Sequence, residues 1–123
     1  MTFSVYANDE IIGTTQLESG DPPMGVAFGA MIPSQAYSKY KSLFISKNYA
    51  ATEKLELFVV SETGERLEPC SGVGIVDYSE EMGETMIEVN IMGLDLNLYQ
   101  KYFSDHIETY RKGSFSQLNR KQQ

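Results

Sequence analysis

Residues 54–92 read KLELFVVSETGERLEPCSGVGIVDYSEEMGETMIEVNIM. Leu55, Leu57 and Val59 alternate with outward positions, the period-two pattern of a half-buried strand. Glu62-Thr63-Gly64-Glu65 is a hairpin turn signal. A second strand runs from Arg66 to Pro69 and on from Gly72 to Tyr78. A bulge is expected near Pro69–Gly72, because proline and glycine interrupt a ladder. Glu80 to Gly83 turn the chain again, and Thr85 to Met92 supply a third strand through Met86, Ile87, Val89 and Ile91. Three consecutive strands of this kind predict an antiparallel meander.

Upstream, Phe3 and Val5 share one face, Asn8-Asp9 is a turn signal, and Glu10 to Leu17 continue in the same style, which predicts an N-terminal hairpin. Gly20-Asp21-Pro22-Pro23 breaks it, since two prolines lack backbone donors. Met24 to Ile32 read as a buried strand or extended core segment. Ser34 then opens a first helix over 34–47. Its stripe is Ala36, Tyr37, Tyr40, Leu43 and Phe44, surrounded by Lys39, Lys41 and Lys47. Downstream, Gly93-Leu94-Asp95 leads into a last helix near 96–111. There Leu98, Tyr99, Tyr102, Phe103, His106, Ile107 and Tyr110 recur at helical spacing, the clearest periodicity in the chain. Gly113 is its expected stop.

The element order predicts an α+β fold: a mostly antiparallel sheet of five to six strands with two helices packed on one face. A chain of 123 residues, 41% hydrophobic and 22% charged, is the size and composition of one globular domain. It is assigned to residues 1–113, with 114–123 as a flexible polar tail. Met1 to Tyr6 contain no basic region followed by an apolar run, and no window approaches the ~18 apolar residues of a membrane span. Cys70 is the only cysteine. The expectation is a soluble cytoplasmic protein.

The formal net charge of −7 argues against nucleic acid and anionic membranes as partners. It is polarised. Residues 56–92 carry nine carboxylates against Arg66 alone, a net −8, so the rest of the chain carries +1. One reading is a solvated outer face with acidic turns. The sharper reading is a docking surface for a basic protein partner, formed by Glu62, Glu65, Glu68, Asp77, Glu80, Glu81, Glu84 and Glu88. In a meander the turns at 62–65 and 80–84 lie at opposite ends of a shared strand, so Glu68, Asp77 and Glu88 would have to bridge them.

Catalytic signals are weak. His106 lies on the apolar stripe of the last helix and reads as a core histidine. Cys70, beside Glu65 and Glu68, reads as a small residue at a strand bulge. One histidine and one cysteine cannot build a zinc site, and Asp95-Leu96-Asn97 lacks the glycine and glutamate of a calcium loop. Gly72-Val73-Gly74 leads into a strand, unlike a dinucleotide fingerprint. No catalytic residue, metal or cofactor is expected.

Gly20-Asp21-Pro22-Pro23-Met24-Gly25-Val26-Ala27 and Tyr102-Phe103-Ser104-Asp105-His106-Ile107-Glu108-Thr109-Tyr110 resemble stretches of a family of small bacterial proteins to which no activity attaches. In size and acidity the chain also resembles bacterial immunity proteins, which neutralise basic nuclease toxins. That likeness implies a non-enzymatic interaction domain and transfers no residue roles. The competing expectation is a small-molecule binder or enzyme with a pocket between sheet and helices, holding His106 or Cys70 in a cleft.

Overall fold

The computed structural model describes residues 1–46 and 52–121. It is α+β, built on one curled antiparallel sheet. The strands are β1 (Phe3–Ala7), β2 (Glu10–Thr15), β3 (Ser19–Asp21), β4 (Val26–Pro33), β5 (Leu57–Val60), β6 (Arg66–Leu67), β7 (Gly72–Asp77) and β8 (Ile87–Met92). The helices are α1 (Lys41–Ile45), α2 (Ser79–Met82) and α3 (Leu96–Lys121). Strand order is β6-β5-β1-β2-β4-β8-β7, with β3 also on β4. No helix among the described residues is long and apolar enough to cross a membrane.

The N-terminal hairpin forms as expected, with Asn8 in the left-handed region that tight turns require (φ 56°). β2 and β3 act as one strand along β4, but the register slips by one residue between Thr15 and Ser19. This bulge holds Leu17 at φ 46° and buries its side chain completely. Thr15 Oγ1 accepts the Leu17 amide at 3.1 Å, and the Glu18 carboxylate accepts the Ala30 amide at 2.9 Å. Side chains thus satisfy backbone groups the bulge removes from the ladder.

The expected meander is corrected. β5–β6 and β7–β8 are both hairpins, but they stand at opposite ends of the strand order. The chain crosses over at Pro69–Ser71. Pro69 has no donor to continue the β5 ladder, and Cys70 and Ser71 donate instead to Gly93 and Met92 at 2.9 and 3.0 Å. Ser71 and Gly72 both oppose Met92, so the bulge anticipated there exists, with Gly72 at φ 95°.

Among the described residues the sheet has eight strands rather than five to six, and there are three helices rather than two, of which only α3 is long. The expected helix over 34–47 is a 3-10 segment (Gln35–Lys39) followed by the short α1; Lys47 lies outside the described residues. Ser38 and Ser46 hydroxyls bond the carbonyls of Gln35 and Leu43, competing with a regular helical ladder. The apolar stripe still does its work: Tyr37 and Phe44 are buried and stacked, 6.0 Å between centroids. The turn at 80–83 is the single helical turn α2, ended by Gly83 at φ 71°.

Gly113 does not end α3, which runs to Lys121 and kinks at Phe103 (φ −129°, ψ 35°). Asp95 caps its start by accepting the Leu98 amide at 2.8 Å. The helix docks through Tyr99, whose hydroxyl donates to the Val26 carbonyl at 2.9 Å, and through Phe103 stacked on Phe3 at 5.5 Å. The curl of the sheet encloses Phe3, Val5, Ile12, Leu17, Val59, Leu67, Val89 and Ile91 in the core.

Candidate functional site

The acidic residues separate into engaged and free. Glu62 accepts the Thr2 amide at 2.5 Å. Glu65 is held by the Tyr102 hydroxyl and by Lys101 at 2.9 Å, which together keep its carboxyl below the usual glutamate range. Glu68 and Glu56 clamp Arg66 at 2.9 Å each, with the guanidinium lying 4.1 Å over the Phe58 ring. Asp77 is 2% exposed and accepts the Tyr37 hydroxyl at 2.6 Å and the Ser79 amide at 2.8 Å. As placed, it is a core residue and offers no surface to a partner. Glu88 is half-buried on β8 between Ala30 and Val76. Glu80, Glu81 and Glu84 are exposed at the β7–β8 turn and have no ion-pair partner among the described residues. The eight acids therefore form no continuous face; three of them cluster at α2.

His106 stacks on Phe103 at 5.0 Å, and its Nδ1 lies 3.2 Å from the Tyr99 hydroxyl. That hydroxyl donates to Val26, so its oxygen is left to accept from Nδ1–H. Burial holds the His106 pKa down, against the backbone of Leu17 and Glu18 and the charges of Asp105 and Glu18. Burial, with the Asp21 charge adding to it, pushes Tyr99 up to about 12. This is a neutral anchor between α3 and the bulge. Cys70 is exposed, and its Sγ lies 3.7 Å from Ser71 Oγ. Among the described residues no group of three or more His, Cys, Asp or Glu converges as a metal site.

An apolar hollow lies elsewhere. The sheet curls until β5 approaches β7, and a cleft of about 590 Å³ opens between them with α1 at its side. Phe44, Leu55, Leu57, Val73, Ile75 and Met92 give it an apolar wall. Thr52, Glu53, Glu56 and Asn90 supply its polar groups. Neither His106 nor Cys70 borders it. A smaller hollow of about 270 Å³ sits over Thr14, Gln16 and Glu18, whose carboxylate is already taken by Ala30.

The apolar residues of the cleft do not stand out in the sequence, because each reads as core. The available signal was Gly72-Val73-Gly74: two glycines on one face of a strand strip it of side chains, a mark of close approach by another group. Comparison of the chain with protein-family models, curated proteins and solved structures gives no match, so the site is read from its own geometry.

Proposed function

We propose that this domain is a binding protein rather than an enzyme, and that its ligand presents apolar groups to the cleft between β5 and β7. The observation that carries the reading is the cleft itself. Its volume lies within the roughly 300–1,000 Å³ typical of ligand sites, its wall is apolar, and a few polar groups stand at its border. The two residues best suited to nucleophilic or acid–base work, Cys70 and His106, lie outside it, and His106 is committed to packing.

Gly74 offers a clean test. A Cβ added there meets only Met92 Cε at 3.6 Å, an ordinary contact, and the backbone is not in the glycine-only region. Gly74→Arg is expected to fold with a Tm within about 4 °C of the parent, in line with surface substitutions. It should also weaken binding of the neutral apolar dye Nile red at least tenfold, by placing a charge in the cleft. Dye titration of a folded variant with parental affinity would rule the cleft out.

A second reading has one observation in its favour. Glu80, Glu81 and Glu84 form a compact acidic group at α2 that suits a basic protein partner of the kind an immunity-type inhibitor neutralises. For such a partner, Glu80→Lys/Glu81→Lys should slow association at low salt, and the difference should vanish as salt screens charges beyond about 8–10 Å. An association rate indifferent to both changes would reduce these acids to a solvated turn.

A further inference from the structure

We propose that the occupant of the cleft is an extended segment of a partner protein that adds as a further strand to the free edge of β7, an inference that rests on the cleft being the binding site. β7 is the last strand in the order and pairs only with β8. Tyr78 N donates to Met86 O at 2.7 Å, which sets the phase of the antiparallel ladder. The pairs Val76–Glu88, Gly74–Asn90 and Gly72–Met92 then direct their amides and carbonyls toward each other. Val73 and Ile75, the intervening residues, direct theirs away from β8. None of these groups has a partner among the described residues. Two donors and two acceptors thus repeat along the edge at about 6.8 Å, the rise of two strand residues.

The cleft runs along that edge. Gly72, Val73, Gly74, Ile75 and Val76 all border it, five residues in succession. Side chains of a strand alternate between faces, so a hollow over one face alone would meet every second residue of β7; this one lies over the face of Gly72 and Gly74, where it reaches Met92 and Asn90 of β8, and wraps round the edge to meet Val73 and Ile75 as well. Leu55, Glu56 and Leu57 border it from the other side. The sequence of β7 carries none of the residues that guard exposed edges: it contains no lysine or proline, and its one charge, Asp77, is buried; α1 and β5 stand near it.

The lining gives the chemistry of the segment. Alternate side chains on one face of an added strand would meet Phe44 and Ile75, and those on the other would cover Gly72 and Gly74, where bulk is missing. Both sets must be apolar. At the border Glu53 is exposed and has no ion pair among the described residues, and the whole chain carries −7, so a lysine or arginine beside the apolar run is favoured. The occupant is an extended apolar segment flanked by a cation, bound by strand addition.

The probe is a blocked seven-residue library, acetyl-Lys-X-X-X-X-X-Lys-amide with X drawn from Val, Ile, Leu and Phe, titrated onto the full chain. For the best member, N-methylation of alternate residues in one phase should reduce affinity at least tenfold, while methylation in the other phase leaves it unchanged, because only one edge of the peptide pairs with β7. In hydrogen exchange on the unmodified protein, the Val73 and Ile75 amides should exchange freely without peptide and slow at least tenfold with it, while Gly74 and Val76 are protected throughout. Val73→Pro should abolish peptide binding, since proline removes an amide that serves no internal ladder and is offered to the added strand. Equal effects of the two methylation phases, or Nile red binding without any library member binding, would overturn strand addition and leave the cleft reading intact. So would a free protein that is already dimeric with Val73 and Ile75 protected, which would make the occupant a second copy. An unmodified protein that binds neither Nile red nor any library member would overturn the cleft reading itself.

Discussion

Asp77→Ala is expected to lower stability by about 3 kcal/mol, roughly a 10 °C fall in Tm for a chain of this size. The carboxylate is 2% exposed and accepts from both Tyr37 and Ser79, so alanine strands a buried hydroxyl and a backbone amide together. Tyr37 ties the 3-10 segment before α1 to the end of β7, and Ser79 opens α2, so one side chain fixes three elements. Tyr37→Phe removes a single bond and should cost less, about 1–2 kcal/mol.

The same site sets a pH dependence. Burial pushes the Asp77 carboxyl up, but hydrogen bonds from Ser79 and Tyr37 and the Lys41 charge outweigh it and hold the group below its ordinary value. A carboxyl depressed in the folded state adds stability that is complete above the unfolded value, about 3.9, and is lost as pH falls through the folded value. Urea unfolding of parent and Asp77→Ala should therefore show the full gap at pH 7 and a narrower one at pH 3. Equal stability at pH 7, or a gap that widens in acid, would show that Asp77 is not held as a buried anion.

What the sequence made legible was local. Alternation placed β1, β2, β5 and β8, and the 3.6-residue stripe of Tyr99, Phe103 and His106 located the docking face of α3. What it hid was non-local. Pro69 to Gly72 read as a bulge within one strand, and a bulge is there, but nothing in the stretch says that β6 and β7 belong to opposite ends of the sheet. That choice is made by partners distant in sequence: β1 takes β5 through Val5–Val59, and β4 takes β8 through Ala27–Ile91. Charge was misleading for a related reason. Asp77 and Glu88 sit among exposed acids in sequence, yet the β7–β8 pairing buries the first and half-buries the second. The cleft was invisible because it is made by two strands that do not pair, and its residues carry the same apolar signature as the core. Only the glycines of β7 set it apart.

Gly20→Ala is expected to cost about 3 kcal/mol as well, and through a different mechanism. A Cβ at this position would overlap the Tyr99 hydroxyl and would stand 2.6 Å from His106 Nδ1 and 2.7 Å from the Val26 carbonyl oxygen. The side chains could turn aside, but the carbonyl is backbone in β4 and cannot yield without disturbing the β3 and β8 ladders. Relief requires β3 to shift off that carbonyl and α3 to step back, which breaks the Tyr99 bond to Val26 and draws His106 away from the backbone of Leu17 and Glu18 at the bulge. Overpacking of this kind costs about 1–3 kcal/mol, and the lost hydrogen bond adds about 1. Gly74→Ala is the control: its Cβ meets only Met92 Cε at 3.6 Å, so that variant should unfold within about 2 °C of the parent. Tyr99→Phe in the Gly20→Ala background removes the overlapping oxygen. The double variant should therefore be more stable than the sum of the two single losses predicts, a coupling of 0.5 kcal/mol or more. Thermal unfolding of the four proteins decides it. Strict additivity, or a Gly20→Ala protein as stable as the Gly74→Ala control, would mean that α3 does not rest on this glycine.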